Sequence, residues 1–194
     1  GSGPAGMSAA YYLLIAGHDV TIYERDPAPG GMLRYGIPQY RLPKVEVLEA
    51  EYESVTRLGG KIVCNAALGV DFTLDDLTNQ GFGAVVVAIG CYDTNKLGIP
   101  GEELSYGAAD FVSWYDGHPD VPRTWPLEAE QVAVLGAGNV ALDVARILAK
   151  HADDLLPTEI PANVYDILKS SPVTDVHVFA RRGPAQVKFS PLEL

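Results

Sequence analysis

Small and aliphatic residues dominate positions 7–16 and the run closes at Gly17, which predicts a helix, while the apolar positions of 19–23 predict a short buried strand. Residues 28–43 break this pattern with glycines and prolines at loop-like spacing. Helical spacing returns over 44–58 and stops at Gly59-Gly60. Another strand is expected at 61–64. The polar stretch 71–80 leads into 84–89, whose unbroken apolar character predicts a strand covered on both faces, ended by Gly90. From 91 to 130 the composition shifts towards Pro, Gly, Asp and aromatics, as expected of a connection between domains carrying one short helix at 108–115. A strand at 131–135, a glycine turn and a helix reaching 150 come next. They are followed by a helix-capable insertion at 151–174 and a strand at 175–180. Strands alternating with helices make the chain α/β with parallel sheets, and the strand-glycine-helix unit occurs twice.

Both repeats carry a phosphate-binding signature. Gly1-Ser2-Gly3-Pro4-Ala5-Gly6 fits GxGxxG: the first glycine permits the tight turn, the second lets backbone approach a pyrophosphate, and the third allows close helix packing. The exposed N–H groups at the start of the following helix then favour an anion. Glu24 lies 23 residues after Gly1, at the end of the next predicted strand, where a carboxylate can bind both hydroxyls of an adenosine ribose. In the second repeat the strand at 131–135 enters Gly136-Ala137-Gly138-Asn139-Val140-Ala141, a GxGxxA loop leading into a helix. At the end of its following strand stand Arg181 and Arg182 instead of an acid. Two permanently charged planar forks suit a 2′-phosphate, which a carboxylate at that place would repel. The first of these arginines lies 45 residues after Gly136, and the insertion at 151–174 accounts for the long spacing.

An acid after one loop and arginines after the other point to two different nucleotides, with FAD and NADPH as the natural pair. The expected architecture is therefore two Rossmann-like dinucleotide-binding domains with parallel sheets, both incomplete. Residues 1–95 form the FAD-binding domain, 96–130 the interdomain connection and 131–194 the NADPH-binding domain. The chain opens directly on the glycines, so the strand that aims this turn is expected upstream of residue 1, and the first domain's C-terminal return outside it as well.

The remaining composition mostly excludes. A formal net charge of −11 argues against a nucleic-acid footprint. No apolar run reaches the ~18 residues that span a bilayer, and no signal peptide is visible, so membrane insertion is not expected and a cytoplasmic location is. The two cysteines, Cys64 and Cys91, are too far apart for a CxxC pair and are expected to be buried thiols. The four histidines share no metal-like or triad-like spacing, and no catalytic side chain or metal ligand is assigned. Trp114, Tyr115 and Trp125 are expected to pack rather than to stack on a cofactor. After Glu24 the loop reads Gly30-Gly31-Met32-Leu33-Arg34 with no cysteine, so no thiol relay is visible. Electrons are expected to pass from flavin straight to an external acceptor or another redox centre. Arg34, Arg41 and Lys44 follow the glycine pair and are candidates for docking an acidic electron acceptor.

Three longer segments resemble the adrenodoxin reductase-like ferredoxin–NADP reductases, within the wider flavoproteins that carry two dinucleotide domains. They are Asp110-Phe-Val-Ser-Trp-Tyr-Asp-Gly-His-Pro119, Gly138-Asn-Val-Ala-Leu-Asp-Val-Ala-Arg-Ile-Leu148 and Ala180-Arg-Arg-Gly-Pro-Ala-Gln-Val-Lys-Phe189. The resemblance implies hydride transfer from NADPH to FAD and a ferredoxin-type iron–sulfur partner. It implies an FAD site at Ala5, Glu24, Met32 and Ala66, beside the loop glycines Gly1, Gly3 and Gly6, with Gly90 at the strand and turn beside the flavin. It implies an NADPH site at Gly136, Gly138, Asn139, Val140, Arg181, Arg182 and Glu193. Two departures stand out. Residues 30–44 look more like the small subunit of glutamate synthase, which as the alternative would make this an NADPH electron-input protein. Before Ile99-Pro100-Gly101, where the family tends to place an arginine for NADPH, stand Asn95 and Lys96. A non-catalytic nucleotide-binding regulator is the third reading.

Overall fold

The computed structural model describes residues 1–91, 94 and 96–190. Its contacts divide the chain into two compact units, Gly1–Ile37 with Arg41–Tyr92, and Pro38–Tyr40 with Asp93–Leu194.

In the first unit the glycine turn runs straight into helix α1, Pro4–Ile15. The helix starts three residues earlier than the apolar pattern alone suggests, because proline is tolerated at its first position, where the N–H would have no partner anyway. Strand β1, Thr21–Tyr23, pairs in parallel with β2, Lys61–Val63, in the register Ile22 to Ile62. Between them lie a short helix α2, Met32–Tyr35, inside the expected loop, and a π-helical turn, Lys44–Leu48, that continues into α3, Glu49–Arg57. Met7, Ala10, Ile22, Leu48, Tyr52 and Val55 make this unit's core. A further helix α4, Leu74–Asn79, occupies the polar stretch, and Thr73 begins it with a reciprocal capping box to Asp76.

Residues 84–89 correct the expectation. They form no strand among the described residues, and Val85, Val86, Val87 and Ile89 are exposed rather than covered on both faces. A strand is made by a neighbour that takes its N–H and C=O groups, and apolar content cannot supply that neighbour.

In the second unit β3, Gln131–Leu135, pairs in parallel with β4, Asp175–Phe179, over five residue pairs. Helix α5, Ala108–Tyr115, forms where expected. Helix α6, Asn139–Ala149, begins inside the second glycine motif, and the insertion contains α7, Ala162–Ser170. Phe111, Val112, Trp114, Tyr115, Val134, Val144, Ile147, Leu155 and Val164 form the core. Trp125 packs on Trp114 and Phe111 at centroid separations of 5.7 and 5.3 Å, so the aromatics of 96–130 are packing residues of this unit. Tyr40 joins the same unit by donating a 2.8 Å hydrogen bond to Asp143 of α6, whose carboxylate also meets Arg146. No helix among the described residues is long and apolar enough to cross a membrane.

Candidate functional site

The first glycine loop and its helix border a cavity of about 970 Å³. Its walls include all eight residues expected there: Gly1, Gly3, Ala5, Gly6, Glu24, Met32, Ala66 and Gly90. The chain's own packing requires Gly1 and Gly6, since a Cβ there would collide with the Ala88 and Gly1 carbonyl oxygens, whereas one at Gly3 would meet nothing within 4 Å and project into open space. Pro4 brings no N–H, so Ala5 and Gly6 carry the first donors that α1 leaves without an internal partner, and these face anions favourably.

Glu24 follows β1 directly, and its backbone stays in register with the neighbouring strand: its N–H donates to the Val63 carbonyl at 2.8 Å and its carbonyl accepts from Ala66 N–H at 2.9 Å. That explains how Ala66, far away in sequence, reaches the same wall. The Glu24 side chain is only 6% exposed and is held by the chain itself. Ser2 N–H and the Ser2 hydroxyl donate to Oε2 at 2.8 and 2.5 Å, and Asp26 N–H donates to Oε1 at 3.0 Å. The Ser2 hydroxyl in turn accepts from Gly30 N–H at 2.9 Å, tying the glycine turn to the loop after β1. Burial alone would push the Glu24 carboxyl up, but the hydrogen bonds from Ser2 and Asp26 outweigh it and hold the group below its ordinary value. A carboxylate offers about four acceptor positions, so these three bonds keep it ionised and oriented with capacity left on Oε1.

The second loop borders a separate cavity of about 340 Å³, walled by Gly136, Ala137, Gly138, Ala180, Arg181, Arg182, Gln186, Val187 and Lys188. Gly136 has φ +139°, a backbone conformation that side-chain-bearing residues rarely adopt, and its N–H donates to Phe179 at the end of β4. That bond brings the strand-end arginines beside the loop. Asn139 and Val140 do not wall this cavity; they are the first two residues of α6, where N–H groups lack internal partners. The Asn139 side-chain oxygen instead accepts from Ser190 N–H at 3.1 Å. Glu193 and Asn95 lie outside the described residues, and Lys96 is exposed.

Two groups of residues depart from expectation. Cys91 is exposed and Cys64 half-buried, not buried thiols, because Cys91 follows the uncovered segment 84–89 and β2 is covered on one side only. The cations offered for docking are engaged by the chain: the Lys44 ammonium is buried and donates to the Leu33 carbonyl at 2.7 Å and to the Ile37 carbonyl. Arg34 donates to the Pro29 carbonyl at 2.5 Å and pairs with Glu49 at 2.8 Å, and Arg41 is half-buried. Carbonyls turned inward by the Gly- and Pro-rich loop need donors, and these side chains supply them. Sequence reasoning in turn missed Ser2 and Lys188. A hydroxyl between two glycines was the available signal for Ser2, and a third cation soon after an arginine pair was the signal for Lys188.

The profile of the pyridine nucleotide-disulphide oxidoreductase family matches residues 1–183. The NADPH:adrenodoxin oxidoreductase of Arabidopsis thaliana is 38% identical over 205 residues, covering 100% of this chain and 41% of that protein. The NADP(+)-dependent formate dehydrogenase subunit beta of Moorella thermoacetica is 43% identical over 146 residues, covering 75% of this chain and 20% of that protein. Among solved structures, Mycobacterium tuberculosis FprA in complex with NADPH superposes with a TM-score of 0.89 at 32% identity, covering 100% of this chain and 45% of that one. The chain thus spans about two fifths of the adrenodoxin oxidoreductase that it matches.

Proposed function

This chain belongs to the pyridine nucleotide-disulphide oxidoreductase family, and on that premise we propose that the protein is an NADPH-dependent flavoprotein that delivers electrons to a ferredoxin-type iron–sulfur partner. One observation carries the reading: two glycine loops each lie at the start of a helix, one beside a held carboxylate and the other beside two guanidinium groups. The residues present suit both nucleotides. The larger cavity offers a glycine turn with open space at Gly3 and an ionised, oriented carboxylate for ribose hydroxyls, as FAD needs. The smaller offers planar cations for the 2′-phosphate that distinguishes NADPH from NADH. FAD bound at the first site supplies hydride acceptance from NADPH and release of the electrons to an acceptor.

What the chain itself does is position and bind. Ala5 and Gly6 present N–H groups to the flavin nucleotide's pyrophosphate, Glu24 orients its ribose, and Met32, Ala66 and Gly90 shape the remaining wall. Asn139 and Val140 do the same for the second pyrophosphate from the start of α6, and Arg181 with Arg182 grips the 2′-phosphate. No side chain is assigned a proton transfer, and what each loop contributes to rate is holding its own nucleotide in place.

The test is anaerobic addition of NADPH to the complete, flavin-loaded protein. Loss of the yellow colour, followed by reoxidation on adding ferredoxin, is the expected result; a persistent yellow colour would make the protein a nucleotide binder. Arg181→Ala with Arg182→Ala should raise the NADPH KM by roughly tenfold or more and leave that for NADH nearly unchanged, since each charge-assisted bond contributes ~1.5–3 kcal/mol. Equal losses with both nucleotides would give the arginines a structural role. Cys64→Ser with Cys91→Ser should leave ferredoxin reduction intact, because electrons leave the flavin without a thiol relay.

A second reading is favoured by the 43% identity to the formate dehydrogenase beta subunit and by the glutamate synthase-like segment at 30–44: an NADPH electron-input subunit of a larger enzyme. Iron–sulfur signals in the electron paramagnetic resonance spectrum of the purified complete protein would select it.

A further inference from the structure

Beyond the arginine pair, the smaller cavity is walled by a third cation, Lys188, six residues further along the chain. Fully extended, six residues span ~20 Å, so proximity in sequence does not bring Lys188 to the arginines. The chain returns through the turn Pro184–Gln186, closed by Gln186 N–H on the Gly183 carbonyl at 3.0 Å. Beyond Lys188 it is pinned again, by the Ser190 N–H bond to Asn139 at the head of α6. Two anchors on either side therefore fold a loop back so that Arg181, Arg182 and Lys188 share one cavity.

Among the described residues no carboxylate pairs with any of the three, and all three are exposed. In a chain of net charge −11, three cations with no carboxylate partner among the described residues repel each other around one small cavity and favour an anion between them. The pyrophosphate has its donors at the glycine loop and the start of α6, in uncharged N–H groups. The doubly charged phosphate is the ligand group that calls for further cations beside the strand-end arginines.

We infer that Lys188 is a specificity-determining residue: its ammonium joins the Arg181 and Arg182 guanidiniums around the 2′-phosphate of NADPH and adds to the discrimination against NADH. The inference rests on the NADPH reading of this cavity. Lys188 contributes a mobile point charge where the arginines contribute planar forks, so its effect should be electrostatic and sensitive to salt.

Calorimetric titration of the complete, flavin-loaded protein with adenosine 2′,5′-bisphosphate and with 5′-AMP tests it, since the two probes differ only in the 2′-phosphate. Lys188→Gln should weaken the bisphosphate by roughly tenfold, the low end for one charge-assisted bond. It should leave 5′-AMP unchanged and make bisphosphate affinity less dependent on salt, and Lys188→Arg should restore both the affinity and its salt dependence. Flavin content and circular dichroism of both variants should match the parent, as befits an exposed side chain. Unchanged bisphosphate binding in Lys188→Gln, or equal weakening of both probes, overturns the role. If the double arginine variant also keeps its preference for the bisphosphate, the NADPH reading itself falls and Lys188 with it.

Discussion

Ser2 has no exposed surface, and its hydroxyl works in both directions, donating to Glu24 and accepting from Gly30 N–H. Removing it strands one buried donor and loosens the carboxylate. Ser2→Ala should cost about 1–3 kcal/mol, read by denaturant unfolding, and should weaken flavin binding in a fluorescence titration. Flavin affinity that survives the substitution would show that Asp26 N–H suffices to hold Glu24. The Glu24 carboxyl also predicts how stability follows acidity. A carboxyl held below its ordinary value of about 4.5 stabilises the fold above that pH, and the contribution is lost as pH falls through the lower folded value. The first unit should therefore lose stability below about pH 4.5, and Glu24→Gln, while less stable at neutral pH, should flatten that acid limb. Unfolding midpoints measured from pH 3 to 7 decide; parallel curves for parent and variant would remove Glu24 as the titrating group.

At the scale of elements, each glycine motif functions through the helix that it begins and the strand end that it faces. Helix α6 shows both demands. Its first residues line up N–H groups beyond Gly138, while Val144 and Ile147 bury themselves in the second unit's core. Its Asp143, only 7% exposed, accepts from Tyr40, whose hydroxyl is pushed up to about 12 by burial and then by that carboxylate. Tyr40→Phe keeps the ring under Arg146 and deletes one bond to a charged group, so a loss of about 1.5–3 kcal/mol is expected in thermal unfolding. A loss below ~0.5 kcal/mol would mean that Arg146 alone balances Asp143. The elements also show why some expectations held. The helix at 108–115 formed as read, and the one expected to reach 150 formed with its start moved into the glycine motif at Asn139; both carry apolar positions that meet a core. The apolar run 84–89 has no described ladder partner, and apolar character could not reveal that. The cap at α4 is legible in the sequence as Thr73-x-x-Asp76 within an otherwise polar stretch.

Across the whole molecule, two separate cores carry the two glycine loops, with Leu48 at the centre of one and Ile147 of the other, both at most 1% exposed. Leu48→Ala and Ile147→Ala should each cost about 2–5 kcal/mol. Amide exchange should report the first as lost protection in α1, α3, β1 and β2, and the second in α6, β3 and β4. Loss spread evenly over both sets would show the cores to be one cooperative body. By itself the sequence determined the α/β class, the two loops, the acid after the first and the arginines after the second, because these depend on local spacing: a glycine turn, a helix start and a strand end lie within one repeat. Tertiary structure alone decided which distant groups meet there. Ser2 and Asp26 close on Glu24, Lys44 turns inward to loop carbonyls, and Lys188 folds back beside Arg181 and Arg182. Such contacts are set by where the chain's turns return it and by which buried carbonyls need a donor, and neither has a period or a spacing that could be read along the chain.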